Sequence, residues 1–255
     1  MKVITASDFL REAADVLSPI SNDVVVIGAA ALQIVLADDL STPAETATIA
    51  LAITPTRDVD VAVEMTAVEA VVNHLEHEGL QASDEPHERG FTWIRGDLKV
   101  QLVRSFHPFP SETAARLPMN PQLSLLHRDA HRMAVAFAEE PDVPRLQSAT
   151  AAALTALKQV AFGRHRPDGS PVERDYHDVY AVVSARPKDL ESTYRAAEYH
   201  VRSLVDRALD ILAAGGPETQ AAARQHAEIT GEGDISAIEQ AIIRDTTFMQ
   251  RRLAA

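Results

Sequence analysis

Near residues 142–148 the chain changes its hydrophobic period. Before that point, apolar runs of strand length alternate with helical patterns. Beyond it, apolar residues recur only at helical spacing. No single sheet can satisfy both halves, because strands and helices bury their apolar residues at different periods. The chain therefore reads as an α/β (α+β) domain over residues 1–146 followed by an all-helical domain over 147–255.

The first half carries these elements in order. Ser7 to Leu17 has an amphipathic helical pattern, ended by Pro19. Asp23 to Ile27 is a short apolar run closed by Gly28, the mark of a buried strand. Ala29 to Leu36 is rich in helix formers. Residues 38–56 read as a long loop with Pro43 and Pro55. Asp58 to Val63 alternates acidic and apolar residues, as a strand with two unlike faces does. Thr66 to Leu80 reads as a helix opened by a Thr66/Glu69 capping box. Phe91 to Ile94 and Leu98 to Val103 pair about Arg95-Gly96-Asp97, and Met133 to Phe137 forms a last strand. Residues 105–121, with four prolines, read as irregular. The second half holds helices over 149–162, 175–184, 190–213, 220–229 and 235–253, with Gly215-Gly216-Pro217 as a break.

Composition removes several classes. The chain has no cysteine, which excludes disulfides, thiolate metal sites and cysteine nucleophiles. No apolar run reaches bilayer length and the first ten residues lack a secretory pattern, so a cytoplasmic protein with no membrane partner is expected. The formal charge is −13, and residues 1–150 hold 22 acidic against 11 basic residues. Such a half suits metal ions better than a phosphate backbone.

Asp58-Val59-Asp60 carries the most chemistry. Residues two apart on a strand share a face, so two carboxylates stand side by side. A magnesium or manganese ion would relieve their repulsion, and an acidic solvated strand face is the plain alternative. Upstream, a glycine between strand and helix at Gly28-Ala29 lets a phosphate approach amides at a helix start. It is neither a dinucleotide fingerprint nor a P-loop.

Gly28-Ala29 together with Thr56-Arg57-Asp58-Val59-Asp60-Val61 resembles the nucleotidyltransferase superfamily, whose members place Asp-x-Asp on the strand after a glycine motif. Lys158, then Arg174-Asp175-Tyr176-His177-Asp178, looks like the AbiEii/MenA-type nucleotidyltransferase toxins. The resemblance spans about residues 24–180. It implies a mixed β-sheet core whose active site is completed by the helical domain. It also implies transfer of a nucleoside monophosphate from a nucleoside triphosphate to a macromolecular acceptor, either a tRNA 3′ end or a protein hydroxyl. The chain would be the toxin of a toxin–antitoxin or phage-defence pair, with a cognate antitoxin as partner.

By the same resemblance, Asp58 and Asp60 hold the metal and Gly28 and Ala29 admit the phosphates. Arg57, Lys158, Arg174 and Asp175 bind the nucleotide, and Asp178 acts as base or positions the attacking hydroxyl. Asp175 also suits a helix N-terminus, where acids are favoured. Lys158, alone in an alanine- and leucine-rich helix, otherwise reads as a solvated-face residue.

Two positions depart from the superfamily: Ala29 replaces a serine or glycine, and the strand expected to bear a third carboxylate offers Gln101, with Asp97 at its start. They motivate an alternative, a weak or inactive nucleotidyltransferase fold that binds nucleotide or protein. A third reading, a structural helical interaction protein, expects no metal-dependent nucleotide binding. His127 and His131 are four apart, but no third metal ligand accompanies them. His74 and His77 read as a solvated helix face, Phe91 and Trp93 as core. Arg202, Arg207, Arg224, Arg244, Arg251 and Arg252 of the last helices either form a phosphate-binding surface or, as is commoner, pair with interleaved acids such as Glu198, Asp206 and Asp210.

Overall fold

A computed structural model describes residues 3–5, 8–37, 58–104, 110–119, 131–136, 145–162 and 173–255. They fall into two compact units, meeting in the chain at Ala149 and Thr150.

The first unit is built on one mixed sheet. Among the described residues its strands are β1 (Val3–Thr5), β2 (Val24–Ile27), β3 (Asp58–Val63), β4 (Gln81–Ala82), β5 (Thr92–Arg95), β6 (Leu98–Arg104), β7 (His131–Ala136) and β8 (Arg145–Ser148). Their spatial order is β1-β7-β8-β2-β3-β6-β5-β4. β3 lies antiparallel to β2 and parallel to β6. The helices are α1 (Asp8–Leu17), α2 (Gly28–Ala37), α3 (Val68–His77) and α4 (Glu112–Arg116).

Register gives the central strands two different faces. Val26 pairs with Val61, Val59 with Val100 and Val61 with Leu102, so all stand on one face, and all are buried. Arg95, on this face too, donates from Nε and Nη2 to Glu12 of α1 at 3.3 Å and from Nη1 to the Glu78 carbonyl at 2.7 Å. His74 of α3 stands 2.7 Å from the Val16 carbonyl. A carbonyl only accepts, so Nε2 carries the hydrogen. These bonds fix α1 and α3 over the apolar face. The other face carries Asp58, Asp60, Lys99 and Gln101, each half-buried.

Several sequence expectations are corrected here. No capping box forms at Thr66: Met65–Ala67 is a 3₁₀ turn, and α3 starts at Val68 with no side-chain cap. Glu69 instead accepts from Thr113 at 3.2 Å. The helix closes in a Schellman turn, with Gly79 N–H on the Glu76 carbonyl and Leu80 N–H on that of Leu75, and Gly79 at φ +81°. His74 is docked rather than solvated. Within the proline-rich stretch Ser111 caps α4, accepting from Ala114 N at 3.2 Å. His131 lies on a strand, so a helical pair with His127 does not exist; His127 itself lies outside the described residues. β1, β4 and β8 were not foreseen; two to four residues are too few to display a period. The loop expected at 38–56 also lies outside the described residues.

The second unit is helical throughout its described residues: α5 (Ala151–Ala161), α6 (Glu173–Ala185), α7 (Pro187–Ala196), α8 (Tyr199–Ala213), α9 (Pro217–Thr230) and α10 (Ile235–Ala254). The long helix expected over 190–213 is two helices, parted by extended backbone at Ala197 and Glu198. No proline or glycine marks the break. It lets Leu190, Ala197 and Val201 all be buried, and tertiary packing overrides local propensity. Three of these arginines pair with acids other than those expected: Arg224 with Glu173, Arg244 with Asp245, and Arg252 with Glu191, which it shares with Arg195. Asp206 accepts instead from the Tyr194 hydroxyl and Asp210 from Gln250. No described helix is long and apolar enough to cross a membrane.

Candidate functional site

The candidate residues form one group in each unit. In the first unit, Asp58 and Asp60 stand on the half-buried face of β3 while Val59 between them is fully buried. Asp60 pairs across β2 with Ile27, the residue before α2. This register puts its carboxylate against Gly28. A Cβ at Gly28 would overlap Asp60 Oδ2 and stand 3.1 Å from both Cβ and Cγ of Asp60. Gly28 also lies at φ +65°, a left-handed conformation that residues with a Cβ resist. The glycine is thus needed twice: to turn the chain into α2 and to seat Asp60. The sequence pointed to Gly28 as room for a phosphate; the space its missing side chain leaves is occupied by Asp60. Ala29 follows as a half-buried residue of the first turn. Arg57 lies outside the described residues.

On the parallel neighbour β6, Asp58 is in register with Lys99 and Asp60 with Gln101. The Lys99 ammonium is ion-paired with Glu88, which also accepts from Ser83 at 3.1 Å. The Lys99 bond, together with that from Ser83, holds the Glu88 carboxyl below its usual range. Gln101 occupies the position expected of a third carboxylate. Asp97 is exposed in the β5–β6 turn and not on the strand. Among the described residues, no three His, Cys, Asp or Glu side chains cluster closely enough to hold a metal by themselves.

In the second unit, α5 and α6 bring Lys158, Asp175 and Asp178 together. Lys158 Nζ is 2.8 Å from Asp175 Oδ1 and 2.6 Å from Asp178 Oδ2. Asp175 and Asp178 are three apart on α6 and share the face that meets Lys158. The alternative reading of Lys158 as a solvated-face residue does not hold, since only 16 % of its side chain is exposed. Burial disfavours the ammonium, but the two aspartates outweigh it and raise the Lys158 pKa. Burial likewise disfavours the Asp178 anion; Lys158, His177 and Arg174 outweigh it, and the carboxyl is held below its usual range. The dipole explanation for Asp175 is therefore incomplete, because its carboxylate also binds Lys158.

Sequence reasoning missed a histidine pair beside this triad. His177 is fully buried, with Nδ1 3.9 Å from Asp178 Oδ1 and Nε2 3.3 Å from His226 Nδ1. One of the facing nitrogens must donate and the other accept. Nothing in a single His at 226, far along the chain, signals this contact.

No family model matches the chain, and no curated protein matches it. Among solved structures, a similar one is the crystal structure of JHP933 from Helicobacter pylori, at 12 % identity and a TM-score of 0.45, covering 98 % of this chain and 95 % of that one.

Proposed function

We propose that the chain is a magnesium- or manganese-dependent nucleotidyltransferase. It would move a nucleoside monophosphate from a nucleoside triphosphate to a tRNA 3′ end or a protein hydroxyl. It would act as a toxin restrained by an antitoxin. The observation that carries this reading is the seating of Asp60: two carboxylates share one half-buried strand face, and a glycine in left-handed conformation gives one of them its place.

The donors fit the metal. Magnesium takes oxygen ligands and keeps several waters, so one or two carboxylates with substrate phosphates suffice. Bound there, the ion would neutralise charge on the triphosphate. Asp58 and Asp60 would hold it, and the packed valines behind them keep both side chains on the same face. In the second unit, Lys158 would meet phosphate by exchanging an aspartate partner for it. Asp178 is held ionised at unusually low pH, which makes it a weak base. Its role is therefore to position the attacking hydroxyl. Gln101 in register with Asp60 favours a second reading, a fold of this type that binds nucleotide with little turnover.

The test is label transfer. The chain is incubated with metal, each α-labelled triphosphate in turn, and total RNA or protein extract, beside Asp58→Asn and Asp60→Asn. Label moving to RNA or protein, and lost in both variants, is the expected result. Metal-dependent triphosphate binding without transfer establishes the second reading. Absence of both overturns the active-site assignment.

A further inference from the structure

Next to the Lys158 triad, but on other side chains, the second unit has a cavity of about 470 Å³ among α5, α6, α8 and the start of α9. Phe162, Tyr176 and Leu204 give it apolar walls, and Gln159, Arg207 and Glu218 supply its polar groups. The size is that of a small-ligand pocket.

Gln159 is the informative member. It is 8 % exposed, lines the cavity, and its amide has no hydrogen-bond partner among the described residues. A carboxamide facing an open cavity without a protein partner presents its donor and its acceptor to whatever enters. Tyr176 is not that partner, since its hydroxyl donates to the Phe162 carbonyl at 3.0 Å. The Phe162 and Tyr176 rings stand 4.3 Å apart, tilted by 46°, and together form one wall. Burial, with Glu218 and Asp175 nearby, pushes the Tyr176 hydroxyl pKa up, so the wall stays uncharged.

We infer that this cavity is a nucleotide subsite for a base bearing an exocyclic amine. A carboxamide offers one donor and one acceptor side by side, which matches adenine's amine and ring nitrogen or those of cytosine. The Glu218 carboxylate accepts from an amine and opposes the carbonyl that uracil presents at the same place. Arg207 is exposed at the rim, where its guanidinium meets a phosphate. The choice of a nucleotide over other planar amides rests on the nucleotidyltransferase reading. The same chemistry arrives either as a free nucleotide or as the terminal residue of a single-stranded RNA.

The test is calorimetric titration of the full chain, without metal, by AMP, CMP and UMP, and by RNA trinucleotides ending in A or U. AMP and CMP are expected to bind at least tenfold more tightly than UMP. Gln159→Met, close in volume, lowers AMP affinity at least tenfold with an unchanged melting temperature. Arg207→Ala weakens AMP but not adenosine. A trinucleotide ending in A that binds more tightly than AMP assigns the site to an RNA end, and equal binding assigns it to the free nucleotide. Absence of saturable binding, equal binding of AMP and UMP, or indifference to Gln159→Met overturns the inference. Asp58→Asn leaves AMP binding intact, so failed label transfer with preserved AMP discrimination rejects the enzyme reading alone.

Discussion

Lys158 and Asp178 form a buried ion pair whose charges sit 2.6 Å apart, with 16 % and 4 % of their side chains exposed. Asp175 makes the same ammonium serve two carboxylates. Removing one member of such a pair strands a charge in a poor solvent, at a cost of about 3–5 kcal/mol. Lys158→Met is expected to destabilise the second unit by that amount in urea denaturation. The Lys158→Met/Asp178→Asn double variant should lose less than the sum of the singles, by about 1–3 kcal/mol. Additive losses would show that the pair contributes no coupling.

The same pair sets a pH window. The Asp178 pKa is lowered on folding, so its contribution is present above the ordinary carboxylate value of about 3.9 and lost as pH falls through the folded value. The Lys158 pKa is raised, so its contribution is present below about 10.4 and lost as pH rises further. Stability of the second unit should therefore stay level across neutral pH where this pair is concerned, and fall at both extremes. Denaturation midpoints of wild type and the double variant, compared from pH 3 to 11, give the measurement.

Gly28→Ala tests the first unit. A left-handed φ costs a residue with a Cβ about 1–2 kcal/mol, and the overlap with Asp60 adds to it. The variant should be destabilised by more than that, and Asp60 should be displaced. Gly28→Ala made on an Asp60→Gly background should cost only the φ term. If Gly28→Ala is equally costly on both backgrounds, the glycine does not serve to seat Asp60.

How much of this was legible follows from the kind of signal each residue sends. Asp58 to Val63 displays a two-residue period, and the strand, its bounds and the acidic face were all readable from it. β8, with Leu146 as its one apolar residue between Arg145 and Gln147, displays nothing. The α7–α8 break has no local breaker, so only the packed core reveals it. At the site, the spacing of Asp175 and Asp178 put both on one helix face. That Lys158 meets both, and that His226 reaches His177 across 49 positions, are facts of helix packing that no local pattern records.

The histidine pair predicts a separate acid sensitivity. Burial first, and His177 second, lower the His226 pKa; Glu232 opposes them. The ring also faces Tyr180 at 5.5 Å. A histidine whose pKa falls on folding takes up its proton more readily when unfolded, so stability drops as pH falls through about 6.5. His226→Phe removes that proton and should flatten the pH 7 to 5 slope of the denaturation midpoint relative to wild type. An unchanged slope would assign the drop to other groups.

The start of α5 decides where Lys158 meets α6, and two threonines hold it. Thr150 Oγ1 accepts from Ala153 N at 3.2 Å as the helix cap, and Thr193 of α7 accepts from Ala152 N at 3.1 Å. Both N–H groups belong to the first turn and have no partner within the helix. Thr150 is 8 % exposed, so water replaces a lost cap poorly. Thr150→Ala should cost about 1–2 kcal/mol, and Thr150→Ser much less. Thr193→Val, which keeps shape and removes the acceptor, should cost about 1 kcal/mol. Because the two hydroxyls satisfy different donors, the double variant should lose close to the sum, read as a shift in the urea midpoint. A loss well short of additive would mean that the first turn frays once either threonine is gone, and Lys158 would then lose its place opposite Asp175 in both single variants.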